Sequence, residues 1–169
     1  IHLNSPVRSI LRFEDHVEIY TALEETPEWY DLAILASHSD QSLRMLGDPS
    51  EEESEILGAI PYQPNDATLH TDEELLPARR KLWASWNYHI LPEEKGRAAI
   101  TYNMNILQNI PGNSQFCVTL NRNEDIDDNK VVRRFEYHHP QYTTESVKAQ
   151  RRWEEINGVQ RTYFCGAYW

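Results

Sequence analysis

Residues 30–37, YDLAILAS, form a nearly unbroken apolar run, and no other stretch narrows the possible folds as much. A strand with one wet face alternates apolar and polar residues. A strand that stays apolar is covered on both faces, which is typical of parallel pairing. The residues that follow complete the unit. Ser37 or Ser39 can cap a helix over DQSLRML, which places Leu43 and Leu46 on one side and stops at Gly47. A strand–turn–helix unit is the expectation here.

The flanking sequence supplies more strands and helices. IHLNSPVRSILRF alternates from Ile1 through Leu3, Val7 and Ile10, and the acidic turn Glu14-Asp15-His16 leads into VEIYTAL as a hairpin. Asp48 reads as the cap of a second helix, with Pro49 in its first turn and Gly58 at its end. TLHT and LWASWNYH read as strands separated by the turn DEELLPARR, and AAITYNMNIL pairs with the second across a polar loop at residues 91–97. QFCVTLN and KVVRRFEYHH add two strands, and TESVKAQRRWEEI a capped helix. No repeat or low-complexity linker interrupts this α+β pattern.

Charge and motif spacing exclude several functions. Among 169 residues 27 are acidic and 16 basic, a formal charge of −11, so nucleic acid is a poor partner for want of a basic face. The basic pairs Arg133-Arg134 and Arg151-Arg152 sit among acids, and the acidic runs at 24–28, 48–55 and 124–128 read as solvated loops and helix starts. No apolar run has the ~20 residues needed to span a bilayer. Cys117 and Cys165 share no C-x-x-C spacing and read as small buried side chains in a reducing, cytoplasmic setting. His70 with Asp72 and the pair His138-His139 are too few, or point too far apart, to hold a metal. The six glycines form neither G-x-G-x-x-G nor a P-loop, so the chain has no diphosphate cradle of its own.

One aromatic stretch carries candidate site residues. If Trp83–Tyr88 is extended, Trp83, Ser85 and Asn87 face one way and Ala84, Trp86 and Tyr88 the other. Its partner shows Ile100, Tyr102 and Met104 on one face and Thr101, Asn103 and Asn105 on the other. A face bearing Asn, Ser, Thr and one Trp suits a ligand-facing wall, and from pattern alone it equally suits open solvent.

In order, SPVRSI, YDLAILASHSDQSLRML, LHTD…LLP…WASWNY, RRFEYHHP and QRRWEEINGVQRTYFCGAYW resemble bacterial proteins predicted to bind NAD or FAD in the flavin-containing amine oxidase superfamily. The resemblance covers nearly the whole chain. Pro77 followed by W-x-S at Trp83–Ser85 is similar, more distantly, to protoporphyrinogen oxidases and phytoene desaturases. It implies an α+β fold in which a mixed β-sheet substrate domain, residues 40–159, is inserted between strands of an FAD-binding domain, residues 1–39 and 160–169.

In that plan Val7 meets the adenine, Ala36 and Ser37 lie beside the cofactor, and Gly166-Ala167 approaches its pyrophosphate or ribityl chain. Trp83, Trp86, Asn87, Tyr102 and His70 line the substrate side. The implied partner is a small molecule, lipid-like or an amine, and the implied chemistry is hydride transfer to flavin. No catalytic residue carries over, because neither Lys81 nor Lys130 matches the lysine common near the flavin.

The missing glycine fingerprint, the start on Ile1 and the stop after a glycine turn lead to the expectation of a fragment of an FAD-dependent oxidoreductase. Alone, such a fragment would be inactive and would associate through unpaired strand edges. The alternative is a non-catalytic sheet domain that binds a protein or lipid.

Overall fold

The apolar run at 30–37 does enter a parallel pair. In the computed structural model, which describes residues 1–91 and 96–169, the chain forms two compact units, Ile1–Tyr62 with Pro140–Trp169 and Gln63–His139. Part of the anticipated loop at 91–97 lies outside the described residues. The units divide after residues 62 and 139, and both early helices and the late one pack with the first strands.

In the first unit β1 (Val7–Arg12), β2 (Val17–Thr21) and β3 (Glu28–Tyr30) make an antiparallel sheet. Phe13 N–H closes the first hairpin on the His16 carbonyl at 2.9 Å. The pattern that begins at Ile1 becomes a strand only at Val7, and Ile1 and Leu3 are exposed. The strand β4 (Ala33–Leu35) lies parallel to the late strand Thr162–Phe164, with Leu35 opposite Phe164. Ala33, Leu35 and Phe164 are buried, but Ile34 is 63% exposed, so the described chain covers only one face of this pair.

Both helix starts differ from expectation. In α1 (Ser39–Met45) the cap is His38, whose N–H donates to the Gln41 side chain at 3.2 Å. Ser39 is buried inside the helix, and Ser37 Oγ sits 2.9 Å from Ser42 Oγ. In α2 (Glu51–Gly58) the cap is Ser50, paired reciprocally with Glu53. Asp48 is engaged elsewhere: its carboxylate accepts from Arg12 Nε at 3.0 Å, and its carbonyl accepts from the same guanidinium at 2.7 Å. The remaining Arg12 donors grip Glu53, so a buried ion pair ties β1 to α2. Around it Ile10, Val17, Leu46, Ile56, Leu57 and Phe164 form the apolar core.

The second unit is a five-stranded sheet in the order β6-β7-β8-β5-β9. Its strands are β5 (Tyr62–His70), β6 (Trp86–His89), β7 (Ala99–Asn103), β8 (Cys117–Leu120) and β9 (Val131–Pro140), with a short helix α3 (Met104–Leu107) after β7. The β6–β7, β7–β8 and β8–β5 pairs are antiparallel. The strand expected over LWASWNYH starts only at Trp86, because residues 80–82 turn in a short 3-10 helix.

The chain then returns to the first unit. α4 (Thr144–Gln150) is capped by Thr143 and is shorter than TESVKAQRRWEEI predicts, since residues 153–155 form a 3-10 turn. The strand Thr162–Phe164 is β10. Cys117 is buried, and burial pushes its thiol up to about 11. Cys165, expected to be buried, is exposed. Among the described residues no helix is long and apolar enough to cross a membrane.

Candidate functional site

The five-stranded sheet is polar where it is buried and apolar where it is open. Register sets one rung, Asn87–Thr101–Thr119–Thr68, across β6, β7, β8 and β5. All four are buried, as are His70 and Asn103 on the same face. The alternate residues form two rungs on the other face, Trp86–Tyr102–Val118–Leu69 and Tyr88–Ile100–Leu120–Ala67. Trp86 is 62% and Tyr88 67% exposed. A half-buried sheet normally shows the reverse arrangement.

Hydrogen bonds explain how the polar face tolerates burial. Asp72 N–H donates to His70 Nδ1 at 3.1 Å, which leaves the ring proton on Nε2, 2.7 Å from Thr119 Oγ1. Thr119 and Thr101 hydroxyls meet at 2.8 Å. Arg122 donates to His89 Nδ1 at 2.9 Å, so His89 Nε2–H donates to Thr101 Oγ1 at 2.8 Å. Two neutral imidazoles thus bracket two hydroxyls. Burial lowers the affinity of both rings for a second proton, with the Arg122 charge adding to the effect at His89. For Asp72 burial pushes the carboxyl up, but the Lys130 ammonium at 2.9 Å and the N–H groups of Asp127 and Glu74 outweigh it and hold it low.

The anticipated site residues therefore fall into separate groups. Trp86 and Tyr102 come together on the open face, edge to face with centroids 5.3 Å apart. Asn87 lies on the buried face: its amide donates to Ala84 and Thr101 carbonyls at 2.8 and 3.1 Å and accepts from Ala84 N–H at 3.3 Å. His70 is fully buried. Trp83 lies outside the strand, with its indole N–H on the Pro77 carbonyl at 2.7 Å and Arg80 over its ring. Thr101, Asn103 and Asn105 also face inward or brace the neighbouring loop, so the mixed polar face is a framework and the apolar one is the open wall.

Pattern reading missed the part of that wall that forms a groove. Leu69, Val118, Met104, Phe116, Phe135 and Tyr137 line a depression of about 470 Å³, to which Gln108 and Ile110 of the loop that Asn105 holds also contribute. Such a size and lining suit a small apolar ligand. The signal was present in β9 as R-x-F-x-Y-x-H, which sets Arg133, Phe135, Tyr137 and His139 on one face.

The anticipated cofactor residues lie in the first unit. β4 and β10 run parallel and end together; Ala36-Ser37 follows β4 directly, and Gly166-Ala167 follows β10 after Cys165. This is where open α/β sheets receive ligands. A Cβ on Gly166 would meet the Tyr168 ring and lie 2.7 Å from the Ser37 carbonyl oxygen, so the two turns touch and only glycine fits. Ala36 and Ala167 are exposed and small, and Ser37 is bonded to Ser42. Val7 stands apart at the start of β1, in the antiparallel sheet.

No protein-family model and no curated protein matches the chain. Solved structures do. A fatty acid isomerase from P. acnes that produces CLA matches at TM-score 0.63 and 16% identity, over 96% of this chain and 42% of its own. An Exiguobacterium protein assigned as a protoporphyrinogen oxidase matches at 0.58 and 13%, over 99% and 42%. A wild-type putrescine oxidase bound to putrescine matches at 0.60 and 10%, over 98% and 43%. The chain has the amine oxidase-like α+β fold of these proteins. It spans about two-fifths of their length.

Proposed function

We propose that the chain is part of an FAD-dependent oxidoreductase in which the open sheet face is the substrate wall. The observation that carries the reading is the inverted sheet. An apolar, aromatic face that is left open while hydroxyls and imidazoles are buried is costly to expose, and a bound ligand accounts for it. Trp86 and Tyr102 then touch the substrate, and Asn87 and His70 hold the strand that presents them. Ala36, Ser37, Gly166 and Ala167 would hold part of the cofactor, with small residues at paired strand ends allowing close approach; Val7 is the adenine candidate. The flavin would supply acceptance of hydride from a substrate C–H. The wall supplies orientation and exclusion of water. Since G-x-G-x-x-G is absent, the 169-residue chain alone binds FAD weakly and is inactive.

The test is to express the chain within its full reading frame and record its visible spectrum. Expected are a stoichiometric flavin, bleaching by a suitable donor, and a KM raised about tenfold by Trp86→Ala, with flavin retained. The 169-residue chain should carry little flavin. A full-length protein without flavin would overturn the proposal.

A further inference from the structure

The face of β9 that reaches the groove ends in a cation that meets no carboxylate among the described residues. Arg133, Phe135, Tyr137 and His139 alternate along it. The Arg133 guanidinium carbon lies 5.0 Å from the Phe135 centroid, and Phe135 stacks on Tyr137 at 5.7 Å. Phe135 and Tyr137 line the groove, so the guanidinium stands beside an apolar trough. Among the described residues it meets no carboxylate, although the chain carries 27 acids. The neighbouring charges point to the opposite face of the strand and are paired there, Arg134 with Asp128 and Glu136 with His138. Among the described residues the groove is lined by no acid, and Gln108 and Tyr137 are the polar side chains in its lining.

From this juxtaposition we infer that the groove takes an amphipathic monocarboxylate, with its apolar tail along Leu69, Val118 and Phe135 and its headgroup on Arg133. Burying an ammonium there would leave it without a counter-ion, whereas a carboxylate meets the planar fork of a guanidinium already held on an aromatic ring. The inference rests on reading the open face as a ligand wall and specifies its ligand.

Decanoate, decylamine and decanol, each below its micellar concentration, can be titrated against the 169-residue chain by equilibrium dialysis. Decanoate should bind up to about fivefold more tightly than decylamine, the scale of one exposed ion pair. The overall charge of −11 favours the amine non-specifically, so this order requires a local cation. Arg133→Gln should reduce decanoate to the affinity of decanol, and Arg133→Glu should invert the order. Arg133 is exposed, and circular dichroism checks that both variants fold. Tyr137→Ala should weaken all three ligands. Equal binding of decanoate and decylamine, or a carboxylate preference that survives Arg133→Gln, overturns the inference. A flavin-loaded full-length protein without carboxylate preference would reject this inference alone; carboxylate preference without flavin would reject the oxidoreductase reading alone.

Discussion

Arg12 shows how a single side chain can redirect local structure. Its guanidinium draws Asp48 away from the helix start that Asp48-Pro49 would otherwise make, and the cap passes to Ser50. Its partner Glu53 serves both the cap and the ion pair. With the side chains of Arg12 and Glu53 1% and 2% exposed, removing one member strands the other charge out of water. Arg12→Ala should therefore cost about 3–5 kcal/mol, in the range for breaking a buried pair. Urea unfolding of the first unit measures it; a loss below about 1 kcal/mol, typical of a surface pair, would refute it. Asn87 teaches a similar lesson for the site. An asparagine beside tryptophans reads as a ligand contact, and in the fold its amide is taken up by three bonds to backbone on the buried face.

At the scale of elements, strands and their pairing were largely legible. The period-two pattern at 99–103 follows the alternation of buried and half-buried residues along β7, whereas the unbroken run at 33–35 leaves Ile34 exposed and β9 is open along both faces. Which face of the large sheet is inside was not legible. Period marks two faces without saying which is covered, and polar residues are ordinarily assigned outward. The covered face depends on long-range bonds, His70 to Thr119 and Arg122 to His89, that no local pattern reports. These bonds predict a pH response. Both imidazoles are neutral when folded, with pKa values below 6.5, while in the unfolded chain they titrate near 6.5. The unfolded state then binds more protons as pH drops, so stability is constant above that value and falls progressively below it. Asp72 contributes in a lower window, since its depressed pKa costs stability only below about 4. The protection factors of the Thr101 and Thr119 amides, taken relative to the intrinsic exchange rate at each pH, should fall as pH drops from 7 to 5, and His70→Gln should flatten the profile. Equal protection across that range would contradict the neutral-imidazole assignment.

At the scale of the whole molecule the two units hold together by different means. The first has a contiguous apolar core, whereas the second satisfies a buried polar face and leaves its apolar one open. Trp86, Tyr88, Ile90 and Tyr137 are each half or more exposed in the second unit, and Leu32, Ile34 and Tyr163 add exposed apolar surface in the first. Monomeric proteins rarely leave contiguous apolar patches much beyond about 300–600 Å². The isolated chain should therefore associate as concentration rises, through side-chain faces more than through strand edges. The expected signature is a weight-average mass that climbs with concentration in sedimentation equilibrium. Because water released from apolar surface drives it, raising salt should leave the association intact. Trp86→Lys with Tyr88→Lys should weaken it without loss of fold, since both side chains lie outside the packed interior. A mass that stays at one chain up to the highest soluble concentration would mean that these faces are compatible with water as they stand. The open wall would then lose its main physical reason for a ligand.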